Sequence, residues 1–123
     1  DLFILGGVTD HITPWKATYR STQLFGSKDV TYVLSQSGHM QAILNPPTNP
    51  KAKYFVQSKK GPLPETADEW LQGVEEVKGS WWPFWMEWVQ ARSGKKKPAP
   101  ATLGNKTFTP LDPAPGLYVV EEV

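Results

Sequence analysis

Two apolar runs, Leu2-Phe3-Ile4-Leu5-Gly6-Gly7 and Val30-Thr31-Tyr32-Val33-Leu34, decide the fold of this chain. The first run shows no alternation of polar and apolar residues, which is typical of a strand buried on both faces of a parallel sheet. It predicts a short buried strand over residues 2–6. The second run is rich in β-branched and aromatic residues, which favour strands, and it predicts a second strand over residues 30–34.

A helix is predicted between these two strands. Thr13 is placed to cap its N-terminus, and Pro14 fits the first helical position because its missing N–H needs no partner there. The helix should run to about Phe25, and Gly26 is a natural left-handed terminator. Residues 2–34 are therefore expected to form one βαβ unit with parallel strands and a right-handed crossover. Such a unit belongs to the α/β class.

Two polar residues follow the predicted strands, Asp10 after the first and His39 after the second. The carboxyl ends of parallel strands meet at one edge of a sheet, where open α/β sheets bind their ligands. The order strand, Asp, helix, strand, His is also the order in which the α/β-hydrolase fold supplies the acid and the histidine of a catalytic triad. A lone loop aspartate is usually a cap or turn residue. The joint placement of the two residues favours a catalytic pair, with Gly38 allowing a sharp turn into the site.

A triad needs a nucleophile, and the sequence offers none. The chain has no cysteine, and none of its seven serines lies in a Gly-x-Ser-x-Gly elbow. In a triad the imidazole takes a proton from the nucleophile, while the carboxylate fixes the tautomer of the imidazole. The chain therefore resembles the second half of an active site. Because it also begins within a strand-like run, we expect a fragment, an excised domain or a proteolytic product.

His11, next to Asp10, has several possible roles. It could donate a hydrogen bond to a catalytic side chain, contact a substrate phosphate, or only pack against its neighbours. Two histidines and a carboxylate could also bind zinc, although nothing else in the sequence supports a metal site.

The composition excludes several classes of protein. The 123 residues are 39% hydrophobic and 20% charged, which is typical of one globular domain. No apolar run approaches the roughly 20 residues that span a bilayer. The net charge of +1 argues against a general nucleic-acid binder, whose affinity comes mainly from neutralising phosphates. No secretion signal is recognisable at the start of the sequence.

The rest of the sequence predicts helices and loops. Residues 40–44 are expected to form one or two helical turns that complete a unit over 1–44, and a Pro- and Lys-rich loop follows over 45–64 with a short extended piece at 54–56. The stretch 65–94 should hold two helices, and 95–123 an extended tail.

The first of these two helices begins with a capping box at Thr66-Ala67-Asp68-Glu69 and should run through Val77 to about Gly79. Ser80 can cap the second helix, which Gly94 should close.

The second helix carries an aromatic face, with Trp81, Phe84, Trp85 and Trp88 at spacings of three and four residues. This face could bind an apolar polymer or acyl chain. A one-sided aromatic stripe is more often a packing surface, and we favour packing on the sheet or on the missing half of the domain.

Five motifs along the chain are similar in sequence and order to motifs of the polyhydroxyalkanoate synthases. They are Gly7-Val8-Thr9-Asp10-His11-Ile12-Thr13-Pro14-Trp15, Ser37-Gly38-His39, Ile43-Leu44-Asn45-Pro46-Pro47, Gly79-Ser80-Trp81-Trp82-Pro83 and Pro98-Ala99-Pro100-Ala101. The resemblance covers nearly the whole chain, 1–123, as the carboxyl-terminal part of the catalytic domain. It is strongest to the class I type, which makes poly(3-hydroxybutyrate).

This resemblance implies an acyltransferase that polymerises (R)-3-hydroxyacyl-CoA into polyester and releases coenzyme A. It implies a Cys-Asp-His triad on an α/β-hydrolase-like core, with Asp10 and His39 as the acid and the histidine and the cysteine in a missing amino-terminal part. Asp10 would orient His39 or deprotonate the 3-hydroxyl of the bound acyl group. The full-length enzyme would be a cytoplasmic homodimer at the surface of polymer granules. It would need no cofactor, since coenzyme A is part of the substrate and a product.

Two other classes of function stay open from the sequence. The chain could be part of an esterase or polyester depolymerase with a serine nucleophile elsewhere. It could also be a non-catalytic binding module whose aromatic helix is the docking face. In the module, the side chains of Asp10 and His39 should diverge.

Overall fold

The computed structural model describes residues 1–57 and 61–122. The chain divides into two compact units, Asp1–Ser93 and Gly94–Val123. The strands of the first unit are β1 (Leu2–Gly7), β2 (Val30–Ser35), β3 (Lys53–Val56) and β4 (Glu75–Lys78). Its helices are α1 (Trp15–Arg20), α2 (His39–Ile43), α3 (Ala67–Gln72) and α4 (Trp82–Gln90). Within the described residues, no helix is both long enough and apolar enough to span a membrane.

The sheet has the order β1-β2-β3-β4 and is mixed. β1 and β2 are parallel, in a register that runs from Leu2 opposite Val30 to Gly7 opposite Ser35. β3 is antiparallel to both β2 and β4. The βαβ unit and the α/β class are therefore confirmed. The loops after β1 and β2 leave the same edge of the sheet.

The helix between β1 and β2 is shorter than predicted. Pro14, and not Thr13, occupies the N-cap of α1, because the Thr13 side chain bonds elsewhere. The helix ends at Arg20 and continues only as a 3₁₀ turn over Ser21–Gln23. This turn begins with Ser21 and Thr22, residue types of low intrinsic helix propensity. Gly26 lies beyond the helix and does not terminate it.

The predicted helix from the capping box is also too long. The box itself is confirmed, with Thr66 and Glu69 bonding reciprocally, but α3 ends at Gln72 with Gly73 after it. Residues 75–78 form β4 and pair with β3, so tertiary pairing overrides the helical pattern. The stretch 65–94 thus holds two helices and a strand.

Two further boundaries differ from prediction. α4 ends at Gln90, before Gly94, and its last carbonyls bond to side chains, such as the Ser93 hydroxyl on the Val89 carbonyl at 2.7 Å. In the second unit, residues of the predicted extended tail form a 3₁₀ turn over Leu117–Val120, which follows the left-handed Gly116 with φ 82°.

Aromatic side chains build the core on both faces of the sheet. Tyr32 and Leu34 of β2 contact Tyr19 and Trp70, whereas Val33 points to the opposite face. The rings of Tyr19 and Tyr32 meet edge to face with centroids 5.0 Å apart.

On the opposite face, the aromatic stripe of α4 packs on β1. The ring centroids of Trp81, Phe84 and Trp88 lie 6.2, 6.0 and 5.5 Å from that of Phe3. The packing interpretation of the stripe is therefore confirmed for these three rings. Trp85 is 39% exposed.

We predict that the fold loses stability at alkaline pH as the buried tyrosines ionise. Burial raises the pKa of both Tyr19 and Tyr32 from 10.0 to about 12. Their hydroxyls donate to the carbonyls of Pro64 and Trp15. Because these folded-state pKa values are raised, the stabilisation is fully present below pH 10 and is lost as the pH rises towards about 12.

Absorbance of tyrosinate at 295 nm, followed beside far-UV circular dichroism, tests this. Tyr19 and Tyr32, two of the four tyrosines, should ionise only as the helical signal is lost, and burial also raises the pKa of Tyr54. Ionisation of all four near pH 10 with an unchanged dichroism spectrum would contradict the prediction.

Candidate active site

The loops after β1 and β2 lie against each other. The Val8 N–H donates to the Ser35 carbonyl at 2.9 Å, and the Thr9 N–H donates to the Ser37 carbonyl at 3.2 Å. Gly7 permits this approach, because a Cβ there would lie 2.9 Å from the Ala42 Cβ and 3.0 Å from the Ser37 oxygen. A larger residue at position 7 would push the two loops apart.

The sharp turn before His39 is made by Ser37 and not by Gly38. Ser37 has φ 89°, in the left-handed region that costs free energy for a residue with a side chain. Gly38 has φ −88° and ψ −168°, which any residue can adopt. It serves as the N-cap of α2, whose first residue is His39, and its carbonyl accepts from the Ala42 N–H at 2.8 Å. The predicted role of Gly38 in the turn is thus wrong.

The structure brings Asp10 and His39 together. The Nδ1 atom of His39 lies 2.8 Å from Oδ2 of Asp10. The Asp10 side chain is only 6% exposed, whereas that of His39 is 38% exposed. The predicted meeting of the two side chains beyond β1 and β2 is confirmed, and the imidazole keeps one side open to solvent.

All the acceptor sites of the Asp10 carboxylate are in use. Oδ1 accepts from the backbone N–H groups of Ile12 and Thr13, both at 2.9 Å. Oδ2 accepts from the Thr13 hydroxyl at 2.7 Å as well as from His39. Sequence reasoning had assigned Thr13 to the helix cap. The spacing Asp-x-x-Thr was the available signal, since Asp side chains often accept hydrogen bonds from residues two and three positions on.

These hydrogen bonds fix the charge and the tautomer of the pair. They hold the pKa of Asp10 far below its usual value, the backbone N–H of Thr13 having the largest effect, opposed in part by desolvation. The carboxylate is thus ionised near neutral pH and can only accept hydrogen bonds. Nδ1 of His39 must carry the proton, so Nε2 of the neutral imidazole has a free lone pair. Asp10 thus orients His39 as a base that can accept a proton at Nε2.

The surroundings of the pair are partly polar and partly apolar. An open recess of about 580 Å³ borders the His39 loop, with Thr9, Gln36, Ser37, Gln41 and Lys53 among its lining residues. The outer side of α2 is apolar and exposed at Met40 and Ile43, by 67% and 50%. The helix that carries His39 thus has apolar side chains on its outer side.

The other candidate residue, His11, lies exposed on the loop between Asp10 and α1. Among residues 1–57 and 61–122, no group of three His, Cys, Asp or Glu side chains is placed to hold a metal ion. The zinc site considered from the sequence therefore gains no support.

Comparison with curated proteins gives close relatives of one kind. The chain is 50% identical over 120 residues to poly(3-hydroxyalkanoate) polymerase 2 of Ectopseudomonas oleovorans, an alignment of 98% of this chain and 21% of that polymerase. It is 42% identical to polymerase 1 of the same organism, again over 98% of this chain and 21% of the relative. The chain belongs to the poly(3-hydroxyalkanoate) polymerase family. The resemblance inferred from the motifs is thereby confirmed.

A third polymerase extends this comparison to another genus. The chain is 42% identical over 117 residues to the poly(3-hydroxyalkanoate) polymerase subunit PhaC of Cupriavidus necator, which covers 95% of this chain and 19% of the subunit. No family model matches the chain. The chain thus spans about a fifth of the length of these polymerases.

We predict that Thr13→Val raises the pKa of Asp10 but leaves it below the usual aspartate value. The substitution removes the hydroxyl bond to Oδ2 and keeps both backbone N–H bonds to Oδ1. Carboxyl ¹³C chemical shifts measured against pH report the change. Thr13→Ser, which keeps the hydroxyl, is the control.

A lowered folded-state pKa gives stability that is present above the unfolded pKa and is lost as the pH falls. Thr13→Val should therefore unfold at a higher pH than the parent in an acid titration. Identical carboxyl titrations for the Val and Ser variants would refute a contribution of the hydroxyl.

Proposed function

We propose that this chain supplies the acid and the histidine of a polyhydroxyalkanoate synthase, an acyltransferase that polymerises (R)-3-hydroxyacyl-CoA into polyester and releases coenzyme A. The observation that carries the proposal is the 2.8 Å hydrogen bond between His39 and Asp10, in a chain of the polymerase family. In this proposal the chain is the carboxyl-terminal part of an α/β-hydrolase-like domain, and another part of the polypeptide supplies the cysteine. The class I type stays a prediction.

His39 acts as the base in the proposed mechanism. Its Nε2 takes the proton of the cysteine thiol, and the thiolate attacks the thioester carbonyl of the substrate. When the tetrahedral intermediate collapses, the bond to the coenzyme A sulfur breaks, and the imidazolium returns its proton to that sulfur. The acyl group is then held on the cysteine as a thioester. In elongation His39 would take the proton of a 3-hydroxyl group in the same way.

Two roles for Asp10 follow from the family resemblance, and its hydrogen bonds support the orienting one. A carboxylate that deprotonates a substrate hydroxyl needs a free lone pair and a pKa that is not strongly lowered. Both oxygens of Asp10 already accept two hydrogen bonds each, and its lowered pKa makes it a weak base. We therefore assign Asp10 to orienting His39 and to stabilising the imidazolium.

Substrate contacts are proposed for the exposed groups near the pair. His11 is exposed beside Asp10 and would contact a phosphate of coenzyme A. The apolar outer side of α2, with Met40 and Ile43, would border the acyl chain or the growing polyester. We propose that the reaction needs no resident cofactor or metal.

The remaining partners are also proposals. The whole enzyme would be a cytoplasmic homodimer at the surface of polymer granules, completed by the amino-terminal part of the same polypeptide. Of the two alternatives, the non-catalytic module is disfavoured because Asp10 and His39 converge and the aromatic face of α4 packs on Phe3. A hydrolase would differ in the nucleophile, and the names of the relatives favour the polymerase.

We predict that the isolated chain does not release coenzyme A from 3-hydroxybutyryl-CoA. It has no cysteine, and a triad without its nucleophile retains little more than positioning. A thiol assay of the pure chain beside a buffer control measures this. Release above the buffer rate would mean that the chain contains a nucleophile of its own.

In the full-length polymerase that contains this chain, His39→Ala should almost abolish both acylation and polymerisation, since the cysteine loses its base. Asp10→Asn should slow acylation itself, by a factor on the order of the 10⁴ found when a triad aspartate is amidated elsewhere. Single-turnover acylation measured beside steady-state polymerisation gives both rates.

His11→Ala is the comparison variant, because it removes the only other histidine of the chain. It should raise KM and leave kcat unchanged. If Asp10→Asn instead acylates normally and elongates slowly, the role of Asp10 is to deprotonate the 3-hydroxyl group of the substrate. Full activity of Asp10→Asn in both assays would remove it from the triad.

A further inference from the structure

The helix that carries His39 is too short to hold its own geometry. α2 spans only His39–Ile43, and isolated helices much longer than this are marginal in water. The last carbonyls of a helix have no partner within it and must bond elsewhere. At the other end, the loop before α2 is tied to the loop after β1 through the Thr9–Ser37 hydrogen bond. The placement of His39 therefore depends on both ends of α2, and the carboxyl end needs partners from elsewhere in the chain.

Two tryptophans hold this end. The indole N–H of Trp81 donates to the Ala42 carbonyl at 2.8 Å, and this bond is buried. The indole N–H of Trp82 donates to the Ile43 carbonyl at 3.0 Å, at a more exposed position. Both donors come from the start of α4, about forty residues along the chain. They occupy successive carbonyls of α2.

Ser80 adds a third contact of the same kind. Its hydroxyl donates to the carbonyl of Asn45, just after α2, and accepts the backbone N–H of Trp82 at 3.1 Å. Asn45 is itself buried, and its side-chain amide lies 3.5 Å from the Ser35 hydroxyl at the end of β2. The segment Ser80-Trp81-Trp82 thus fixes the end of α2 and the residues that follow it.

The indole donors are themselves held by the core. Trp81 is 9% exposed, and its ring packs on Phe3 of β1. An indole has two rotatable side-chain bonds, so a ring held in this way presents its N–H in one direction. The carboxyl end of α2 is in effect connected to β1, the strand that leads to Asp10.

We propose that Trp81 and Trp82 are positioning residues for His39, an inference that rests on the function proposed above. They fix α2 so that Nδ1 of His39 faces Asp10 and Nε2 faces the nucleophile. They act through the backbone carbonyls of α2, and neither is among the residues that line the neighbouring recess. Their loss should therefore lower kcat and leave KM for the acyl-CoA unchanged.

The expected loss of kcat in each variant follows from the environment of its indole N–H group. A misplacement of about 1 Å can cost up to about 100-fold in rate. Water cannot readily replace the buried N–H donor of Trp81. Trp81→Phe should therefore shift His39 by part of an ångström and lower kcat roughly tenfold. Water can replace the donor of Trp82, because Ile43 is half exposed, and Trp82→Phe should lower kcat only about threefold on the same scale.

The test uses the full-length polymerase that contains this chain, with kcat, KM and the melting temperature measured for each variant. Phe84→Leu is the matched core control, because Phe84 packs on Phe3 and Tyr54 in the same cluster. Trp85→Phe is the control on the same helix. Both should keep the parent kcat, even where Phe84→Leu melts as early as Trp81→Phe.

Three results would overturn the proposal: a parent-like kcat in Trp81→Phe, an equal loss of kcat in Phe84→Leu at equal melting temperature, or a change confined to KM. If Trp81→Phe does not fold, the Trp82→Phe variant becomes the test. A parent-like kcat in Trp82→Phe would then refute the proposal. Failure of the proposed function can be distinguished from failure of the positioning proposal. In the first case His39→Ala would keep its activity, whatever the result for the tryptophan variants.

Discussion

Parallel pairing of β1 with β2 is the constraint on which the candidate site depends. Because the two strands run in the same direction and end in register at Gly7 and Ser35, their exit loops meet at one edge of the sheet. The approach is close enough that backbone hydrogen bonds join the loops and a side chain at Gly7 would clash. An antiparallel pair would have sent the Asp10 and His39 loops to opposite ends. The meeting of Asp10 and His39 thus depends on the direction in which β1 and β2 run.

The parts of the structure that depend on local pattern could be predicted from the sequence. The apolar run of β1 and the β-branched run of β2 were sufficient to place Asp10 and His39 at one edge. The capping box at Thr66 was also recognisable, because it involves only residues three positions apart. These features are set by spacing along the chain and need no knowledge of distant partners.

The features that sequence reasoning missed depend on distant or competing partners. Residues 75–78 become a strand because β3 offers a hydrogen-bonding edge. Thr13 has two possible uses for its hydroxyl, and the buried carboxylate of Asp10 is the stronger acceptor because it is charged. The left-handed turn falls on Ser37, although Gly38 is adjacent and has an extended backbone at the N-cap of α2. Each of these choices is decided by the surrounding structure.

The two outer strands of the sheet differ in a way that affects how the chain associates. β4 presents Glu75, Glu76 and Lys78 as exposed charged residues, and such charges discourage another strand from adding to an edge. β1 is apolar throughout, and in the described part of the chain it has a hydrogen-bonded neighbour on one side only. The sheet can therefore grow in one direction, by adding a strand beside β1. In concentrated solution, self-association of the chain should begin at that edge.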